Sequence, residues 1–179
     1  MKALSVRCPE LAQAIEAVDL LPDESILTTK DGSKSVEYRT AQDQRILLAS
    51  RYRPLEEAKR LVDSLETDPM ISYFVLGMGV GYHVLELFRR RTAGTRIVVI
   101  ESDLQIFKTT LALQDFEEMI GDPQMFFFVG KDGETLYEGL RKEVFRIFSS
   151  PVVIVPHRAS MQVNGEYYQD IKRQLSEFV

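Results

Sequence analysis

Apolar positions near the start of the chain recur at helical spacing. Leu11, Ala14, Ile15 and Val18 share one face and predict a helix over Pro9–Leu21, stopped by Pro22-Asp23. The pattern then changes to β-prone runs, Ser25–Lys30 and Lys34–Arg39, on either side of Asp31-Gly32, a strong local hairpin signal. A short apolar stretch, Arg45–Ala49, follows. Pro54 suits a first helical position, Glu56 and Glu57 suit a first turn, and Leu55, Ala58, Leu61, Val62 and Leu65 complete a helical stripe. Thr67-Asp68-Pro69 breaks it.

Beyond Pro69, strand and helix alternate. Solidly apolar runs at Ile71–Leu76, Arg96–Ile100, Gln124–Val129 and Pro151–Val155 are strand-sized. Helical patterns cover Gly81–Arg91, Ser102–Ile120, Glu134–Phe148 and Gly165–Phe178. Strands without polar alternation, separated by helices, imply a parallel sheet covered on both faces. Right-handed crossovers favour the strand order 3-2-1-4. The fold class is therefore α/β: a Rossmann-like parallel sheet over 69–179, preceded by a small α+β segment over 1–68 that contains a hairpin. The Phe126-Phe127-Phe128 run reads as buried strand rather than a stacking platform.

Composition narrows the function classes. The chain has 179 residues, 45% of them apolar and 27% charged, with a net charge of −5. That charge gives no sign of the basic face a nucleic-acid partner requires. The densest basic run, Arg89-Arg90-Arg91 with Arg96, falls where a helix ends and complements its dipole. Cys8 is the only cysteine, which excludes an internal disulfide and a Cys-rich metal site and fits a reducing compartment. No apolar run approaches the length of a membrane span, and Met1–Ser5 lacks a signal-peptide core. The expected location is cytoplasmic, without nucleic-acid or membrane partners.

The candidate chemistry lies in the turn Leu76-Gly77-Met78-Gly79-Val80-Gly81-Tyr82-His83. A strand there runs through three alternate glycines into a helix, whose N-terminus presents unpaired N–H groups and a positive dipole end. The dinucleotide fingerprint Gly-x-Gly-x-x-Gly would need glycine at Tyr82, which argues against standard NAD binding. The Gly-x-Gly-x-Gly spacing resembles the first motif of class I S-adenosylmethionine methyltransferases and spermidine synthases, although Val75 stands where those families often carry an acid. Glu101 ends the second strand about twenty residues on, where ribose hydroxyls are bound, and Asp132 follows the third strand, where methyltransferase-like proteins touch adenine. Gly77, Gly79, Gly81, Tyr82, His83, Glu101 and Asp132 are thus the candidate cofactor-binding set, with S-adenosylmethionine or a nucleotide as the candidate ligand. The bland alternative is a tight turn with Glu101 serving the next helix. His157 follows the fourth strand and reads more readily as a polar loop residue than as a catalyst. The two histidines are not at metal-ligand spacing, and neither a nucleophile elbow nor a Walker motif occurs.

Three segments occur in order: Lys30-Asp31-Gly32, then Leu48-Ala49-Ser50-Arg51-Tyr52-Arg53-Pro54-Leu55-Glu56-Glu57-Ala58, then Phe74–His83. This order resembles the N-terminal domain of the motility accessory factor family, bacterial proteins linked to flagellin glycosylation with nonulosonic sugars. Ser50-x-Tyr52-x-Pro54 with Glu57-Ala58, and Gly77-x-Gly79-x-Gly81-Tyr82-His83, carry the likeness most distinctively. The resemblance implies an accessory module whose sugar-transfer chemistry resides in a following domain; no catalytic residues carry over to this chain, and no activity in isolation is expected. It implies that domain as the partner. A four-stranded sheet with an open edge adds self-association as another expectation. The competing reading is an S-adenosylmethionine-dependent methyltransferase or aminopropyltransferase.

Overall fold

The structure, a computed structural model, describes residues 2–65 and 70–176. The chain opens with α1 (Lys2–Arg7) and α2 (Pro9–Glu16), then β1 (Ile26–Thr28), β2 (Lys34–Arg39), β3 (Arg45–Leu47) and α3 (Pro54–Asp63). There follow β4 (Ser72–Leu76), α4 (Tyr82–Arg90), β5 (Arg96–Glu101), α5 (Leu104–Leu113), α6 (Glu117–Gly121) and β6 (Met125–Val129). The remainder is α7 (Gly133–Lys142), α8 (Val144–Ile147), β7 (Val152–Pro156), α9 (Arg158–Val163) and α10 (Gly165–Ser176).

The expected parallel sheet is present in the order β6-β5-β4-β7, which is 3-2-1-4 counted along the chain. Phe74 lies between Val98 and Ile154, and Val98 lies beside Phe126. Side chains alternate across the sheet. Tyr73, Val75, Ile97 and Val99 pack with Val84 and Leu87 of α4, Phe107 of α5, and Leu4 and Ile15 of the N-terminal helices. Phe74, Leu76, Val98, Ile100 and Phe126 face Leu136, Leu140, Ile147, Tyr168 and Ile171. Every residue of β4 is buried, which is why its sequence shows no polar alternation.

The expected hairpin is one edge of a three-stranded antiparallel sheet, β1-β2-β3, because Arg45–Leu47 pairs with Glu37–Arg39. Its turn is longer than a two-residue Asp-Gly loop. Gly32 has φ +83 and donates to the Thr29 carbonyl at 3.1 Å, while the Asp31 carboxylate accepts from Ser33 N at 3.0 Å. Val36 and Leu48 of this sheet meet Leu21, Val80 and Ile106, so it docks directly beside the glycine turn.

Several elements depart from the periodicity. The helix expected to reach Leu21 stops at Glu16, because the chain turns to dock on α5: Lys108 Nζ donates to the Val18 carbonyl at 2.6 Å and Leu21 N to Thr109 Oγ1 at 2.9 Å. α1 was not anticipated; its Arg7 donates to the carbonyls of Ile120 at 2.6 Å and Met125 at 3.1 Å, and to that of Asp122. The helix expected over Ser102–Ile120 is two, broken at Gln114 in extended backbone (φ −138, ψ 154). Glu134–Phe148 is likewise divided, at Glu143. α9 is additional. The boundary drawn at Asp68 and the end of the last helix at Phe178 lie outside the described residues.

Candidate functional site: a cleft beside the glycine turn

The turn leaves β4 with Gly77, Gly79 and Gly81 all at positive φ, +93, +51 and +82. The chain itself packs onto each. A Cβ on Gly77 would lie 2.0 Å from Ser160 Cβ, one on Gly79 2.4 Å from His157 Cε1, and one on Gly81 2.4 Å from Phe116 Cζ. α9 and the α5–α6 bend therefore occupy the space directly against the glycines. The Thr110 hydroxyl donates to the Gly79 carbonyl at 2.5 Å and holds the turn from the α5 side.

Glu101 is buried and its carboxylate accepts from Met78 N at 2.7 Å, Tyr168 Oη at 2.9 Å and Asp103 N at 3.1 Å. It links the turn, the end of β5 and α10. Burial pushes its pKa up, against the lowering effect of these donors. Asp132 stands apart: its side chain caps α7 by accepting from Thr135 N at 2.8 Å. That cap, with a hydrogen bond to the charged form, holds its pKa below the ordinary value. Tyr82 turns outward to the small sheet, and its hydroxyl exchanges two 2.8 Å hydrogen bonds with the Lys34 backbone N–H and carbonyl. The basic run ends up paired: Arg90 with Glu86 and Asp63, Arg91 with Asp122 and the Phe88 carbonyl, Arg96 with Ser150.

His83 and His157 come together as a parallel stack, with ring centroids 4.4 Å apart and planes 4° from parallel. His83 Nε2 lies 3.1 Å from the Gly77 carbonyl, which can only accept, so Nε2 carries the proton. Burial pulls the His83 pKa down to about 4, leaving the ring neutral and Nδ1 a bare acceptor. His157 caps α9: its Nδ1 accepts from Ser160 N at 3.3 Å and lies 2.8 Å from Ser160 Oγ. Its proton is therefore on Nε2. Burial, with the neighbouring His83 as a lesser cause, lowers its pKa well below the ordinary range.

A cleft of about 430 Å³ opens on the other side of the turn. Its floor is Val80–His83, one wall is Pro156–Ala159 with Gln162, and the other is Leu47–Ser50 with Pro54, Glu57, Ala58 and Leu61. It thus sits between the strands β4 and β7, where the sheet order reverses, the place where open α/β sheets bind ligands. Of the residues singled out from sequence, Gly81, Tyr82 and His83 line it, whereas Glu101 and Asp132 do not. Arg158, Gln162 and the Leu47–Leu48 wall could not be found from motif spacing. His157-Arg158 directly after an apolar strand was the available signal for its near wall. Among the described residues no cluster of three or more metal-ligating side chains occurs, and no helix is long and apolar enough to cross a membrane.

A four-stranded parallel sheet with a glycine turn at its central strand defines a Rossmann-like module. The chain belongs to the glycosyltransferase Maf N-terminal domain family, whose model matches residues 10–149. The fold is similar to that of a Maf glycosyltransferase from Magnetospirillum magneticum AMB-1, with a TM-score of 0.59 at 13% sequence identity. That likeness covers 96% of this chain and 34% of the other, so the chain spans about a third of that protein's length. A search of curated proteins gives no match.

Proposed function

We propose that the chain is an accessory Rossmann-like module of a Maf-type glycosyltransferase, which holds a nucleotide-like ligand and leaves sugar transfer to a following domain. The observation that carries this reading is how the titratable groups at the turn are used. The Glu101 carboxylate accepts from four internal donors, and both imidazoles are neutral, each tied through one ring nitrogen, His83 to Gly77 and His157 to Ser160. A general base works best with a pKa near the operating pH, and burial holds both imidazoles well below it. The methyltransferase reading has less support, because Val75 replaces the acid of that motif and Glu101 is committed to Met78 N and Tyr168.

The test is a transfer assay with flagellin and a nucleotide-activated nonulosonic acid. The chain alone is expected to transfer no sugar, and the same chain joined to the following domain to transfer it. Turnover by the chain alone would end the accessory reading.

A further inference from the structure

We infer that the cleft between β4 and β7 binds a nucleoside 5′-monophosphate, with its phosphate at the α4 N-terminus beside Arg158 and its ribose hydroxyls on Glu57. This rests on the ligand-holding reading above and gives the ligand a place and a chemistry.

Four observations converge. α4 is uncapped: Gly81 at its N-cap has no side chain, and the N–H groups of Tyr82, His83 and Val84 have no hydrogen-bond partner among the described residues. Orphan donors on a nine-residue helix favour an anion. His83, only 5% exposed, lines the cleft and keeps Nδ1 unpartnered among the described residues without that atom being fully sealed from solvent. A buried acceptor facing a cleft calls for a donor from a ligand, here the remaining O–H of a singly protonated phosphate. Arg158 at the rim is exposed with no acidic partner among the described residues, and the His157 Nε2–H beside it is an unpaired donor. These two reinforce the anion end.

The opposite wall suits the rest of such a molecule. Pro54, Glu57, Ala58 and Leu61 fall at i, i+3, i+4 and i+7 and so share one face of α3. Three of them are apolar and match the flat face of a base. The fourth, Glu57, accepts from Ser50 N at 3.1 Å through one oxygen and has the other for hydroxyls. The volume of about 430 Å³ is within the range of small-ligand pockets.

The experiment is a titration of the isotopically labelled chain with the four common nucleoside 5′-monophosphates, followed through backbone amide shifts. The unphosphorylated nucleosides and the 2′,3′-dideoxy monophosphates are the controls. At least one monophosphate is expected to bind saturably, with the largest shifts at Val80–Val84 and Arg158–Ala159. Arg158→Ala is expected to weaken it about tenfold, as for loss of one charge-assisted contact. Glu57→Gln is expected to remove the preference for ribose over its dideoxy form. Both side chains are exposed, so both variants should fold; unchanged amide spectra elsewhere check this. Saturable binding with shifts at Glu101 and Asp132, indifferent to Arg158→Ala, would overturn this placement while leaving the ligand-holding reading standing. Absence of saturation by every monophosphate would overturn this inference, while the accessory reading is decided separately by the transfer assay.

Discussion

Replacing Gly77 with alanine tests whether α9 truly sits on the glycine turn. Two costs apply. At φ +93 a residue with a Cβ is strained by about 1–2 kcal/mol. The new methyl would also lie 2.0 Å from Ser160 Cβ and 2.2 Å from its Oγ, so α9 must move, an overpacking cost of about 1–3 kcal/mol. Gly32→Ala is the matched control, because its φ is +83 and nothing lies within 4 Å of the added Cβ. It carries the backbone cost alone. Both gain about 0.4–1 kcal/mol from a less flexible unfolded chain. Urea unfolding followed by circular dichroism should therefore place Gly32→Ala near 1 kcal/mol or less below wild type (order of magnitude), and Gly77→Ala lower by a further ~1–3 kcal/mol. Adding Ser160→Gly removes the obstructing Cβ and should recover part of the loss from Gly77→Ala, although the same change alone destabilises by about 1 kcal/mol through helix propensity. If the two alanine variants are equally stable, α9 does not occupy that space and the turn is open.

Other consequences follow from the same contacts. Stability should fall as the pH drops from about 6.5 toward 4, because His83 takes up a proton more readily once unfolded; its shift from 6.5 to about 4 corresponds to about 3 kcal/mol, present above the unfolded pKa. Glu101, with its pKa raised, acts in the opposite sense and favours the fold below its unfolded pKa, so the test is the difference between wild type and His83→Gln in chemical unfolding across this range. A variant with the same acid slope as wild type would contradict the neutral buried ring. Tyr82→Phe removes both hydrogen bonds to the Lys34 backbone and should cost about 1 kcal/mol, with faster amide exchange at Lys34 as the specific readout. Arg7→Ala should destabilise by about 1–3 kcal/mol in thermal unfolding by leaving the carbonyls of Ile120, Asp122 and Met125 without their donor, and an unchanged melting temperature would mean that α1 is not anchored there.

The sheet was legible because β4 and β5 are buried along almost their whole length, so Tyr73–Leu76 and Ile97–Ile100 are apolar without alternation, the mark of a parallel sheet covered on both faces. The glycine turn and the acid ending β5 were legible for the same reason, since their places follow from the strand. Their partners were not. Nothing local in Arg158–Val163 marks a helix that lies over Gly77, and a six-residue helix has too few turns to print a periodicity. The break after Leu113 was hidden because α5 and α6 are apolar on one face throughout; what divides them is tertiary, Gln114 Nε2 reaching the Val80 carbonyl at 3.3 Å while Phe116 packs under Gly81. The cleft escaped motif reading because its walls come from α3 and α9, about a hundred residues apart in sequence. Ser50, Pro54, Glu57, Ala58, Gly81, Tyr82 and His83 had all been quoted for a family likeness, and they prove to line one space.

The most direct measurement is a crystal structure of the chain grown with the tightest-binding nucleoside monophosphate. The phosphate should lie within hydrogen-bond distance of the Tyr82 and His83 amides and Arg158, with α9 still packed on Gly77. A ligand found instead over Gly77, its ribose on Glu101 and α9 displaced, would contradict the account.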